Sequence, residues 1–352
     1  MNGSAGLRST LQATMGALVL SVTVAACSSA ARGTASATAS RVAQSTAAPT
    51  ASAATAPSPA APSGERPGGP PAAAYSNVAY ASTSSSQVLD IWMPDGAIGP
   101  VPLVIFVHGG GFAGGDKSMD VEFGTVASVL AAGYAAASLN YRLSGEARFP
   151  AAVQDVKAAV RFLRANASRY GLDPGRFAAW GASAGGHLVA MIGTTGDQKT
   201  VLDDPSLGNV GVSGAVQAIV DFFGPTDFLQ MDAQFASAAP AACKGQVRAY
   251  DSADSPVSLF LGGAIQTIPD KAVAANPITY IATAKTLPVF LIAHGDSDCE
   301  VPSQQSVILY KALQAAGAKA TFNLVQGVGH DQAILASQTP IALEMLKSVF
   351  GK

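Results

Sequence analysis

The stretch Arg176-Phe-Ala-Ala-Trp-Gly-Ala-Ser-Ala-Gly-Gly-His-Leu-Val-Ala-Met-Ile192 joins an apolar run to a helix-forming one through a turn of small residues around Ser183. Phe177 to Trp180 suits a buried strand, and His187 to Ile192 continues as an apolar helix. Gly181 and Gly185 flank the serine as G-x-S-x-G, the pattern of a nucleophile elbow. A serine forced into a tight strand-to-helix turn crowds the residues two positions away on either side, so both are best without a Cβ. The turn also sets Ser183 at a helix N-terminus, where the amide of Ala184 points at any negative charge forming beside the hydroxyl.

Upstream, Leu103 to Val107 is a continuous apolar run, as expected of a strand buried on both faces of a parallel sheet. His108-Gly-Gly-Gly-Phe112 follows at once, and three bare residues at a strand end imply that something approaches the backbone closely. The amides of Gly110 and Gly111 are expected to join that of Ala184 in an oxyanion hole, where loss of one donor typically costs about 3 kcal/mol of transition-state stabilisation. His108 is expected to brace this loop rather than act as a base, because it precedes the serine and a better-placed histidine exists.

The chain then alternates. Phe123 to Ala132 reads as a helix, Tyr134 to Asn140 as a strand and Pro150 to Arg169 as a long helix carrying Asp155 as a structural carboxylate. Ala215 to Phe222, Pro288 to Ala293 and Ala320 to Val325 read as further strands, with helices over Ser303 to Ala316 and Ala333 to Phe350. Asn77 to Tyr80 and Gln87 to Met93 open the fold as an antiparallel hairpin or meander. Repeated strand-helix units require a mostly parallel sheet covered on both faces. Residues 228–276 lack a clear period and are expected to form a short lid over the pocket.

Two further loops sit at the same sheet edge. His294-Gly-Asp-Ser-Asp-Cys-Glu-Val-Pro302 follows one apolar strand and offers Asp296 or Asp298; Gly327-Val-Gly-His330 follows the next. The order Ser183, Asp298, His330 is that of the α/β-hydrolase triad, with Asp298 favoured as the outer carboxylate and Asp296 and Asp227 as alternatives. A neutral serine is a weak nucleophile; His330 would take its proton and the aspartate would hold the imidazole in the productive tautomer.

These segments together resemble the hormone-sensitive-lipase-like esterases. Tyr141-Arg-Leu-Ser-Gly, Phe149-Pro-Ala-Ala-Val-Gln-Asp-Val-Lys and Ala275-Asn-Pro-Ile-Thr-Tyr are closer to the bacterial feruloyl-esterase-like branch. The resemblance spans residues 75–352. It implies an α/β-hydrolase fold with a mostly parallel eight-stranded sheet, and hydrolysis of carboxylic esters, acetylated or feruloylated polysaccharides and small esters among them. A prolyl-oligopeptidase-type serine peptidase and a catalytically silent surface binding module are the competing readings.

Composition bounds the remainder. Of 352 residues only 12% are charged and the net charge is -2, so no nucleic-acid partner is expected. Residues 1–26 combine Arg8 with an apolar, small-residue run too short for a spanning helix, which fits a cleaved export signal. Val24-Ala-Ala-Cys27 resembles the lipobox of bacterial lipoproteins, implying a lipid on Cys27 as the only membrane contact at the cell surface; an ordinary cleavage site in a secreted protein is the alternative. Residues 28–74 are almost only Ala, Ser, Thr, Pro and Gly, a spacer unable to bury enough surface to fold. The remaining cysteines, Cys243 and Cys299, form an even pair expected to be bridged in an exported protein. No Cys/His cluster has metal-ligand spacing, and no metal or cofactor is expected.

Overall fold

The computed structural model describes residues 70–351; the expected signal, Cys27 and most of the spacer lie outside them. Eight strands form one sheet: β1 (Tyr75–Ala79), β2 (Val88–Trp92), β3 (Val101–Val107), β4 (Ala135–Leu139), β5 (Leu172–Ala182), β6 (Ala218–Phe222), β7 (Val289–Gly295) and β8 (Ala320–Val325). Their spatial order is β1-β2-β4-β3-β5-β6-β7-β8. β2 runs antiparallel to β1 and β4, and every pairing from β4 to β8 is parallel. This is the α/β-hydrolase architecture. The central strands β3, β4 and β6 are buried at every residue, which is why they read as unbroken apolar runs, whereas the edge strand β8 has no fully buried residue.

The α-helices are α1 (Met119–Glu122), α2 (Thr125–Ala131), α3 (Ala151–Ala165), α4 (Ala184–Thr195), α5 (Met231–Ala238), α6 (Pro256–Leu261), α7 (Pro269–Ala274), α8 (Ile278–Ile281), α9 (Gln304–Ala315) and α10 (Ala333–Phe350). Side chains alternate across β3: Leu103, Ile105 and Val107 pack with Val153 of α3, Leu188 of α4 and Leu309 of α9, while Val104 and Phe106 pack with Val126 of α2 and Leu346 of α10. Two apolar layers therefore sandwich the sheet.

Two expectations need revision. The helix expected over Phe123 to Ala132 starts later, as α2, because Gly124 adopts a left-handed φ of 76° and separates it from the preceding turn of helix, α1. The long helix stops at Ala165, and Ala167–Tyr170 tightens into a 3₁₀ turn closed by left-handed Gly171. The lid stretch is helical in pieces, α5 to α7 with short 3₁₀ turns between them, each too brief to show a period. Asp155 has the structural role expected of it. It is fully buried and accepts hydrogen bonds from Gln87 Nε2, from the Arg142 amide and from the Arg142 guanidinium.

Candidate active site

β5 ends at Ala182, and the next residue, Ser183, takes φ 56° and ψ -124°, a conformation that L side chains rarely adopt. The surroundings impose it. A Cβ on Gly181 would lie 2.3 Å from the Gly185 carbonyl oxygen, and one on Gly185 would lie 1.9 Å from that of Val107. Both flanking positions must be bare for β5 to turn into α4 against β3. The Ser183 amide is tied to the Phe222 carbonyl at 2.9 Å, fixing the elbow to β6.

His330, on the loop after β8, reaches Ser183: its Nε2 lies 2.9 Å from Ser183 Oγ, and its Nδ1 lies 2.7 Å from Asp298 Oδ2. A carboxylate only accepts, so Nδ1 carries the proton and Nε2 is left to accept from the serine hydroxyl. Asp298 is almost wholly buried, and its Oδ1 accepts from the amides of Glu300 and Val301, each at 2.8 Å. Burial alone would raise its pKa, but hydrogen bonds and charge from His294 and His330 hold the carboxyl well below the usual range. Asp296 instead accepts from Ser297 Oγ and the Gly327 amide, bracing the turn, and Asp227 caps a 3₁₀ turn through the Leu229 amide.

The glycine loop after β3 lies alongside. Gly110 and Gly111 have φ of 104° and 60°, and a Cβ on Gly110 would meet the Gly114 carbonyl oxygen at 2.4 Å. Among the described residues nothing accepts from the amides of Gly110, Gly111 or Ala184, and all three residues line the same cavity of about 870 Å³ as Ser183 and His330. His108 braces the loop. It is buried, its Nδ1 lies 2.8 Å from Gly109 O, and its ring stacks on Tyr141 at 4.4 Å. Burial lowers its pKa, which suits a neutral brace.

Cys243, from the lid stretch, and Cys299, next to Asp298, are joined by a disulfide across 56 residues. Phe112, at the end of the glycine loop, stacks face to face on Phe260 of α6 with ring centroids 4.0 Å apart. The roof is thus attached both to the acid loop and to the amide donors.

The family model described as BD-FAE matches residues 89–313, which carry the elbow, the glycine loop and Asp298. The chain belongs to the BD-FAE family. Its members are bacterial feruloyl-esterase-like α/β-hydrolases. Curated relatives of this BD-FAE chain include esterase LipC of Mycobacterium tuberculosis, 29% identical over 70% of this chain and 57% of its own length. Esterase LipQ of the same organism is 31% identical over 70% of this chain and 54% of its own. The chain therefore spans about half the length of these relatives. Among solved structures, a truncated carbohydrate esterase from gut microbiota is 33% identical with a TM-score of 0.70, covering 79% of this chain and 96% of that one.

Two polar residues of this BD-FAE site escaped sequence reasoning. His294, at the end of β7, directs Nε2 at Val301 O (2.9 Å) and Asp298 Oδ2 (3.2 Å), while Ser306 Oγ donates to its Nδ1. Both Nε2 neighbours are acceptors, so that nitrogen carries a proton and adds a donor to the buried carboxylate. Its i, i+4 spacing to Asp298 was visible, but not its burial. The other is Asp120 on α1, which lines the cavity and carried no motif.

Proposed function

We propose that the chain is a serine carboxylic-ester hydrolase acting on small or carbohydrate-linked esters through Ser183, His330 and Asp298. The observation that carries this is the contact of His330 with Ser183 Oγ on one side and Asp298 on the other, beside three unpartnered amides. As Ser183 Oγ bonds to the ester carbonyl carbon, its proton passes to His330 Nε2 and the carbonyl oxygen becomes negative. The amides of Gly110, Gly111 and Ala184 stabilise that oxyanion. The tetrahedral intermediate collapses, the alcohol departs with the proton from His330, and an acyl-serine remains. Water then gives up a proton to His330 and attacks the acyl carbon, releasing acid and restoring the serine. Asp298 keeps the imidazole oriented and offsets its transient charge.

Support for ester substrates comes from family membership, from relatives named esterases, and from a structural neighbour named a carbohydrate esterase. Export and a lipid anchor at Cys27 belong to the same proposal and rest on the sequence of residues 1–27. Hydrolysis of p-nitrophenyl acetate tests the mechanism: wild type turns over, and Ser183→Ala falls by about 10⁴-fold or more. A fluorophosphonate should phosphonylate Ser183 with loss of fluoride, adding the mass of the phosphonyl group to the peptide that holds it. An active alanine variant, or a wild type inert to both reagents, overturns the reading.

A further inference from the structure

Asp120 is partly buried and held by fewer protein donors than the carboxylates of Asp155 and Asp298. Those two use both oxygens on several protein donors. Asp120 lines the catalytic cavity beside Met119, Phe123, Trp180 and Leu335, an apolar wall. Its Oδ2 accepts from the buried Ser138 Oγ at 3.1 Å. Besides Ser138, only the backbone amide of Asp120 itself donates to this carboxyl, which forms no ion pair among the described residues.

A carboxyl in an otherwise apolar cavity wall, with a serine hydroxyl and its own amide as its protein donors, keeps acceptor capacity for a ligand. We infer that Asp120 is a specificity-determining residue that accepts a hydrogen bond from a hydroxyl group carried by the ester bound at Ser183. This rests on the ester-hydrolase reading and narrows its substrate class to hydroxylated esters. Burial pushes the carboxyl up to about 7, so charged and neutral forms coexist near neutral pH. A hydroxyl suits both, since it donates to a carboxylate and exchanges donor and acceptor roles with a carboxylic acid, whereas a cation would suit only the charged form.

The hydroxyl could sit on the acid or on the alcohol, and paired substrates separate the two. Methyl 4-hydroxycinnamate against methyl cinnamate probes the acyl side; the monoacetate of 1,2-cyclohexanediol against cyclohexyl acetate probes the alcohol side. Wild type should prefer the hydroxylated member of one pair by about 10-fold or more in kcat/KM, the usual worth of a hydrogen bond to a charged group. Asp120→Ala should bring that ratio to about 1, and Asp120→Asn, which keeps one acceptor oxygen, should leave an intermediate ratio. A ratio taken within one preparation does not depend on how much of the protein folded; where the alanine variant is insoluble, the asparagine ratio decides. A wild-type ratio near 1 on both pairs, or a preference unchanged by substitution, overturns the inference. If p-nitrophenyl acetate is still hydrolysed in that case, the esterase reading stands; loss of all ester hydrolysis by wild type would instead remove the reading beneath it.

Discussion

Gly185 stands so close to Val107 that a methyl group on it would sit 1.9 Å from the Val107 carbonyl oxygen, backbone that cannot move without disturbing β3. Gly185→Ala should therefore cost more than about 3 kcal/mol of stability and at least about 100-fold in turnover, because the elbow and the glycine loop would both shift. Gly317→Ala is the control: its φ of 74° makes alanine mildly unfavourable, but nothing lies within 4 Å. About 1 kcal/mol and no change in kcat are expected there. Urea unfolding and p-nitrophenyl acetate kinetics on both variants check the contrast.

Asp298→Asn should reduce kcat by about 10⁴-fold, since an amide can present a donor to His330 Nδ1 and favour the wrong tautomer. Asp296→Asn should stay within about fivefold of wild type, because Asp296 braces the Gly327 turn and touches neither Ser183 nor His330. Reversal of this ranking in steady-state kinetics would reassign the acid.

The Cys243–Cys299 bridge closes a loop of 56 residues, worth about 4 kcal/mol in the chain-entropy account. The Cys243→Ser/Cys299→Ser double variant should lose stability of that order in chemical denaturation. Its kcat should also fall several-fold, because Cys299 adjoins Asp298. A double variant as stable and as active as wild type would show the bridge to be inert.

Asp221, on β6, is buried with Oδ2 unpartnered and only the Gly224 amide donating to Oδ1 at 3.0 Å. Burial raises its carboxyl to about 7. The folded protein thus holds this proton more tightly than the unfolded chain. The stability it confers is complete below about pH 4 and is lost as pH rises towards 7 and beyond. Asp221→Asn should leave stability nearly unchanged at pH 4 and raise it at pH 8, by roughly 2–4 kcal/mol. Equal effects at both pH values would contradict this.

The parts of the site legible in sequence were those whose signal is local. Phe177 to Trp180 and Leu103 to Val107 are buried on both faces, so their apolar runs marked strands, and the residues just after them had to emerge at one sheet edge. Ser183 and the glycines were marked by steric need, visible as absent side chains. Asp298 and His330 followed from their positions after β7 and β8. Boundaries set by one left-handed residue, such as Gly124, were not legible, because glycine occurs in this chain where φ is ordinary too. Asp120 and His294 were missed for another reason: what matters about them is which surface they face once α1 and β7 pack, and periodicity does not record that.

The face-to-face packing of Phe112 on Phe260 makes the amide donors and the roof a single mechanical unit. For anyone remodelling this scaffold, the segment holding α6 is therefore not an interchangeable cassette. A transplant from another hydrolase must bring its own ring to seat Phe112, or the graft will shift the Gly110 and Gly111 amides together with the cavity wall.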